Sequence, residues 1–219
     1  MSVVALVGNP REGSRTLTVA VEAARAIGHR LGLQPPGATV SGADRDRAAG
    51  VKAAGNGSAA LGAAEPPGAP GEAYDVVDLS ALGPHLLAPG SHPGVEVALE
   101  LVSEASVLVV ASPTYKGTYT GLLKAFLDRL RPQALAGTTA LPLLVMGDPR
   151  HALAVEVHLR PLLVELGATV PTPGLAFLES EFPRLEEVVA AWADRVAPQA
   201  QTRAVPAVAE QAGEAAALR

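Results

Sequence analysis

Short aliphatic runs alternate with helically spaced segments along most of this sequence, and that order leaves few architectures open. Val3 to Val7 is a β-branched, uncharged run ending at Gly8, the pattern of a parallel strand buried on both faces. Thr16 to Leu31 follows, with Leu17, Ala20, Val21, Ala24 and Ile27 at helical spacing. The cycle repeats with Tyr74 to Leu79 and the helix Val95 to Glu104, then with Ser106 to Ala111 and the helix Gly121 to Leu130. It continues with Ala140 to Met146 and the helix Ala152 to Leu166, and closes with a strand within Thr169 to Leu178 and the helix Arg184 to Val196. Parallel strands need crossover helices that cover both faces, so this order predicts an α/β three-layer fold around a five-stranded parallel sheet. Pro142 cannot donate to a ladder, which predicts that the first residues of the fourth strand lie outside it.

A chain of 219 residues suits one such domain, assigned here to residues 1–197. Between Gln34 and Ala73 the sequence turns to Gly, Ala and Pro with scattered charges and no period. It has too few bulky side chains to offset the entropy of ordering, and reads as a flexible insertion between the first helix and the second strand. Residues 198–219, rich in Ala and Gln, read as a mobile tail.

Composition then narrows the function by exclusion. A formal net charge of −5 without a local basic patch, and an aromatic fraction of 3%, argue against nucleic-acid binding. The absence of cysteine excludes disulfides, thiolate metal sites and thiol catalysis, and the five histidines show no metal-ligand spacing. Met1 leads straight into the first strand and no apolar run approaches bilayer length, so a cytoplasmic protein without a membrane partner is expected.

In an open parallel sheet, ligands gather at the carboxyl ends of the strands where strand order reverses, which singles out the loops after the first, third and fourth strands. The first is Gly8-Asn9-Pro10-Arg11-Glu12-Gly13-Ser14-Arg15-Thr16. Its hydroxyls and backbone amides face the positive end of a helix and two arginines add charge, which suits a phosphate monoester. It matches neither a Walker loop nor a dinucleotide fingerprint: Ser14 and Arg15 follow Gly13 in place of Lys and Ser or Thr, and Pro10 stands where the second fingerprint glycine belongs. An ordinary turn capped by Ser14 or Thr16 accounts for the same residues. The second loop, Ser112 to Gly121, offers an extended backbone, Tyr115, Tyr119 and several hydroxyls to a flat heterocycle; punctuation by Pro113 and Gly117 is the plainer reading. Lys124 and Asp128 beyond it have the spacing of a surface ion pair. In the third, Met146 to His151, Gly147 permits close approach to the backbone, and Asp148 before Pro149 has the form of a helix N-cap. No nucleophile or paired acid accompanies His151, and no catalytic residue is assigned.

Together, VGNPREGSRT, ASPTYKGTYTGLLKAFLDRL and HALAVEVHLRPLL resemble the NADPH-dependent FMN reductases of the flavodoxin-like superfamily. The last segment points to the subgroup that serves two-component monooxygenases such as the alkanesulfonate system. Asn9 replaces a serine usual in the family, and its paired glycines after the fourth strand are reduced here to Gly147-Asp148. The resemblance implies that FMN phosphate sits against Arg11, Ser14, Arg15 and Thr16 in the loop that also holds Asn9 and Pro10. It implies that the isoalloxazine lies along Pro113, Thr114, Tyr115 and Lys116, with Gly147 and Asp148 on the other side and the nicotinamide of NADPH or NADH stacked above. Tyr119 stands where the subgroup carries an inserted aromatic residue, a device able to make a π-bulge.

Hydride transfer from nicotinamide to flavin asks for stacking geometry more than for a catalytic dyad. The reaction the resemblance implies is reduction of FMN by NAD(P)H, with reduced flavin passed to a flavin-dependent monooxygenase. The helix Ala152 to Leu166 is apolar on more than one face, so a homodimer or homotetramer is expected. Two alternatives stay open: a quinone or azo reductase that holds FMN, and a non-catalytic flavin-binding electron-transfer protein.

Overall fold

The computed structural model describes residues 1–33 and 74–200, so the insertion expected at 34–73 and the residues after 200 lie outside the described residues. Its centre is built from the most apolar runs. β1 (Val3–Val7), β3 (Val107–Pro113) and β4 (Thr139–Met146) are buried at every position, as strands covered on both faces must be. β2 (Asp75–Asp78) and β5 (Leu175–Leu178) form the edges. All neighbours pair in parallel in the order β2-β1-β3-β4-β5, the flavodoxin-like order.

Alternation along the strands divides the core in two. Val3, Ala5, Val7, Val107 and Val109 face α1 (Arg15–Arg30) and α6 (Leu185–Ala200), where Trp192 is buried. Ala20, Ala23 and Ala24 of α1 are fully buried; their small side chains let the helix lie close to the sheet. Val4, Leu6, Leu108 and Val110 face the other way, against α3 (Pro93–Ser103) and α4 (Gly121–Leu127). A single-turn helix, α2 (Gly83–Leu86), precedes α3. No helix among the described residues is long and apolar enough to cross a membrane.

Three details differ from the sequence-based expectation. Pro142 lies inside β4, opposite Val110, rather than outside the ladder. The Ala140 N–H donates toward the β5 side, to Thr169 O at 2.8 Å. The Pro142 nitrogen, two residues on, faces that same side, where β5 begins only at Leu175 opposite Leu143. No ladder bond is lost. The fifth strand lies within the expected Thr169 to Leu178: Thr169 makes an isolated bridge to Thr139, and the ladder resumes at Leu175.

The segment Ala152 to Leu166 is not one α-helix. A 3₁₀ turn at Pro149–His151 leads into a π-helical stretch, Val155–Leu159, and only α5 (Arg160–Glu165) is α-helical. Pro161 has no N–H to return to the carbonyl four residues back, and Arg160 N–H reaches five residues back, to Val155. The wider turn presents Glu156 and Arg160 to the chain entering β5. Arg160 donates to Val170 O and Thr172 O, both at 2.5 Å, and Gly174 N–H donates to Glu156 Oε1 at 2.7 Å. Burial pushes the Glu156 carboxyl up, but hydrogen bonds from Arg160 and Gly174 outweigh it and hold it below the ordinary range. Finally, α6 runs on to Ala200 with Pro198 in its last turn, beyond the helix end expected at Val196.

Candidate functional site

The sheet order reverses between β1 and β3, so the loops leaving these strands part there and open a crevice at their carboxyl ends. Thr120 fastens the two loops together. Its hydroxyl donates to Gly8 O at 2.6 Å and accepts from Leu123 N–H at 3.1 Å as the N-cap of α4, while its amide donates to Ser112 Oγ at 3.0 Å. Gly8 N–H donates to Ala111 O at 2.8 Å. A Cβ on Gly8 would lie 2.5 Å from Leu123 Cβ, so only glycine permits this crossing.

Beyond Gly8 the first loop is shaped from within. Asn9 is buried; its Oδ1 accepts from Arg11 N–H at 2.9 Å and its Nδ2 donates to Thr16 Oγ1 at 3.0 Å. Ser14, the N-cap of α1, accepts from Leu17 N–H at 3.2 Å. The backbone amides of Glu12, Gly13, Ser14, Arg15 and Thr16 take no partner among the described residues, and they stand at the positive end of the helix α1. Arg11 and Arg15 flank them, both exposed. Arg15 does not point freely outward: Nη1 is 3.2 Å from Glu179 Oε2, and the guanidinium lies 5.6 Å from the centroid of the Phe182 ring.

The second loop begins inside β3, where Ser112 and Pro113 are buried. Thr114 N–H donates to Val145 O at 2.8 Å, which brings the carboxyl end of β4 alongside. Tyr115 and Thr118 exchange backbone hydrogen bonds of 2.8 and 3.3 Å around Lys116 at φ 53° and Gly117 at φ 86°. Two left-handed residues in a row make a tight hairpin that holds the exposed Tyr115 and Lys116 at the rim. Tyr119 is half-buried and packs against the core on the α3 and α4 side. It precedes the helix, which starts at Gly121, so the inserted aromatic makes no π-bulge; the π turn among the described residues lies after β4 instead.

In the third loop Asp148 is the N-cap of the 3₁₀ turn, accepting from Arg150 N–H at 2.9 Å, and Arg150 also grips it with Nε and Nη2 at 2.9 and 2.7 Å. These side-chain bonds, then the backbone bond, lower the Asp148 carboxyl to about 2. A Cβ on Gly147 would meet no heavy atom within 4 Å.

The expected residues therefore separate by what they touch. Asn9, Ser14, Thr16 and Asp148 use their side chains to hold loops in shape. Pro10, Arg11, Arg15, Tyr115, Lys116 and Gly147 are exposed around the crevice. Sequence reasoning missed Thr120 and Ser112 as the fastening pair, and Glu179 and Phe182 in the connection after β5. The rule that picks out strand ends applies equally to that fourth loop. The donor set fits a flavin mononucleotide on two counts. Unpartnered amides at a helix N-terminus beside two arginines suit a phosphomonoester. Thr114 Oγ1, buried and without a hydrogen-bond partner in the loop after β3, is left for a polar ring edge.

Comparison with known proteins gives the chain its relatives. The chain is 41% identical over 83 residues to an FMN reductase (NADPH) of Escherichia coli, a stretch covering 38% of this chain and 44% of that protein. It is 38% identical over 112 residues to the NADH-dependent FMN reductase SfnE of Pseudomonas putida, covering 51% and 60%. The matched stretches thus span about half the length of these relatives. Among solved structures, the apo form of the NADH:FMN oxidoreductase EmoB superposes with a TM-score of 0.68 at 27% identity, over 93% of this chain and 91% of that one. An oxidoreductase from Corynebacterium diphtheriae, at 24% identity and a TM-score of 0.63 over 90% and 96%, shares the fold. The profile of the NADPH-dependent FMN reductases matches residues 1–182, and the chain belongs to that family.

Proposed function

We propose that this protein is an NAD(P)H-dependent FMN reductase that passes a hydride from a nicotinamide to FMN and releases reduced flavin to a flavin-dependent monooxygenase. The observation that carries the reading is the meeting, at the β1/β3 switch point, of the unpartnered α1 amides and Arg11 with the stretch Pro113 to Lys116. In this reading the amides of residues 12–16, with Arg11 and Arg15, bind the phosphate, and Asn9 and Thr16 keep the loop in the shape that presents them. Pro113, Thr114, Tyr115 and Lys116 line one side of the ring; Gly147 leaves room on the other, and Asp148 with Arg150 holds that loop still. FMN supplies the electron sink, so the protein's part is orientation.

The names of the relatives support both nicotinamides, one being NADPH- and the other NADH-dependent. The exposure of Arg11, Arg15, Tyr115 and Lys116 suits a flavin that must leave to reach a partner. The outer face of the segment after β4 exposes Leu153 by 66%, Val157 by 51% and Val164 by 53%, which supports a homodimer or homotetramer closed across it. We take the described elements as one domain, with 34–73 inserted between α1 and β2, working in the cytoplasm where reduced nicotinamides are supplied.

The test is an anaerobic mixture of protein, FMN and NADPH or NADH, followed by flavin absorbance. Catalytic bleaching is expected; no bleaching with either nucleotide at saturating FMN overturns the assignment. Purification as a yellow protein with strong quinone turnover would replace it with the quinone or azo reductase reading.

A further inference from the structure

The two arginines of the phosphate loop are not equivalent. Arg11 makes no side-chain hydrogen bond or ion pair among the described residues. Arg15, the first residue of α1, is held on two sides by the connection between β5 and α6: by Glu179 at 3.2 Å and by the face of Phe182 at 5.6 Å. The other carboxylate of that turn is engaged elsewhere, because Glu181 Oε2 accepts from Leu178 N–H at 2.9 Å and its Oε1 faces Arg184 at 4.0 Å. Glu179 alone is left to Arg15. Among the described residues nothing else holds Glu179, and both partners remain substantially exposed, Arg15 by 64% and Glu179 by 50%.

We infer that Glu179 is a positioning residue that competes with the flavin phosphate for Arg15. An exposed carboxylate-guanidinium pair is weak, whereas a phosphomonoester at the N-terminus of α1 adds charge, helix dipole and free amides to what it offers Arg15. The phosphate therefore displaces the carboxylate. The displaced carboxylate stays near, one residue past β5, and opposes the dianion. Phe182 keeps the guanidinium in place during the exchange through its ring face. The arrangement subtracts from flavin affinity, which suits an enzyme whose reduced product must depart. The inference rests on the assignment of the first loop to FMN phosphate.

The test is fluorescence titration of FMN and of riboflavin, which lacks the phosphate, into wild type, Glu179→Gln, Arg15→Ala and the double variant. Glu179→Gln is expected to tighten FMN by about two- to five-fold, the scale of an exposed ion pair, and to leave riboflavin unchanged. In the Arg15→Ala background the same substitution is expected to lose most of that gain, since the two side chains act as a unit. If Glu179→Gln leaves FMN affinity unchanged or weaker, or tightens it equally without Arg15, the competition is overturned while the phosphate assignment stands. If wild type and Arg15→Ala bind FMN no better than riboflavin, the phosphate assignment falls and the competition with it.

Discussion

Gly8→Ala probes the junction on which the crevice is built. The added methyl would stand 2.5 Å from Leu123 Cβ, 3.1 Å from Cγ and 3.2 Å from Cδ1. Carbon atoms pack at about 3.5–4.0 Å, so α4 or the loop must give by roughly 1 Å. Because the worst contact is with Cβ, Leu123→Ala does not relieve it; the helix backbone itself must move. Overpacking of this kind costs about 1–3 kcal/mol, and the reduced freedom of the unfolded chain returns about 0.4–1 kcal/mol, leaving a net loss of about 1–2 kcal/mol. At about 2–4 °C per kcal/mol for a domain of this size, the melting temperature should fall by roughly 2–8 °C. FMN affinity should fall as well, since the shift pulls Gly8 O from the Thr120 hydroxyl, 2.6 Å away, that ties the two loops. Thermal melts with and without FMN give both numbers, and Gly147→Ala is the contrast: its methyl meets nothing within 4 Å, so stability should hold while FMN binding weakens. A Gly8→Ala protein that melts and binds FMN as wild type does would refute the packing argument.

Arg15→Ala should weaken FMN by about 1.5–3 kcal/mol, the scale of a charge-assisted hydrogen bond, with the melting temperature kept; an unchanged flavin titration removes Arg15 from the site. Gly174→Ala should destabilise by about 1–3 kcal/mol, because its Cβ would fall 2.5 Å from Val155 Cγ2 and 2.8 Å from Pro142 O; a wild-type melt would contradict the close approach. Asp148 has its carboxyl lowered from 3.8 to about 2, so its contribution to stability is complete above the higher value and is lost as pH falls toward the lower one. Carboxyl NMR titration should show that low midpoint, and Arg150→Gln should return it toward 3.8; an ordinary midpoint in the wild type would sink the cap. Val157→Glu, on the exposed apolar face, should reduce the assembly size seen by light scattering; an unaltered size removes that face from the interface.

Element type and order are legible in the residues because each strand and helix carries its own period. VVALV, the SVLVVA run and the Leu17 to Ile27 spacing each need only a sheet or a second layer to pack on, whichever it is. The three loops are legible for the same reason: a strand must end somewhere, and ligand sites follow from which end. The Asp148 cap and the Lys124–Asp128 pair, both local, are found as their spacing implies. What spacing along the chain does not encode is which groups meet across it. Pro142 is tolerated only because β5 starts late on one side of β4. The π turn depends on how Pro161 sits beside the carbonyls of its own segment, and it serves to clamp a crossing 18 residues away, at Gly174. Arg15 reads as a free phosphate ligand until the connection after β5 brings Glu179 to it from 164 positions along the sequence. Periodicity records burial; a partner from a distant element is chosen by the packed arrangement, where an unpaired charge or a donor without an acceptor has a cost that no single segment can express.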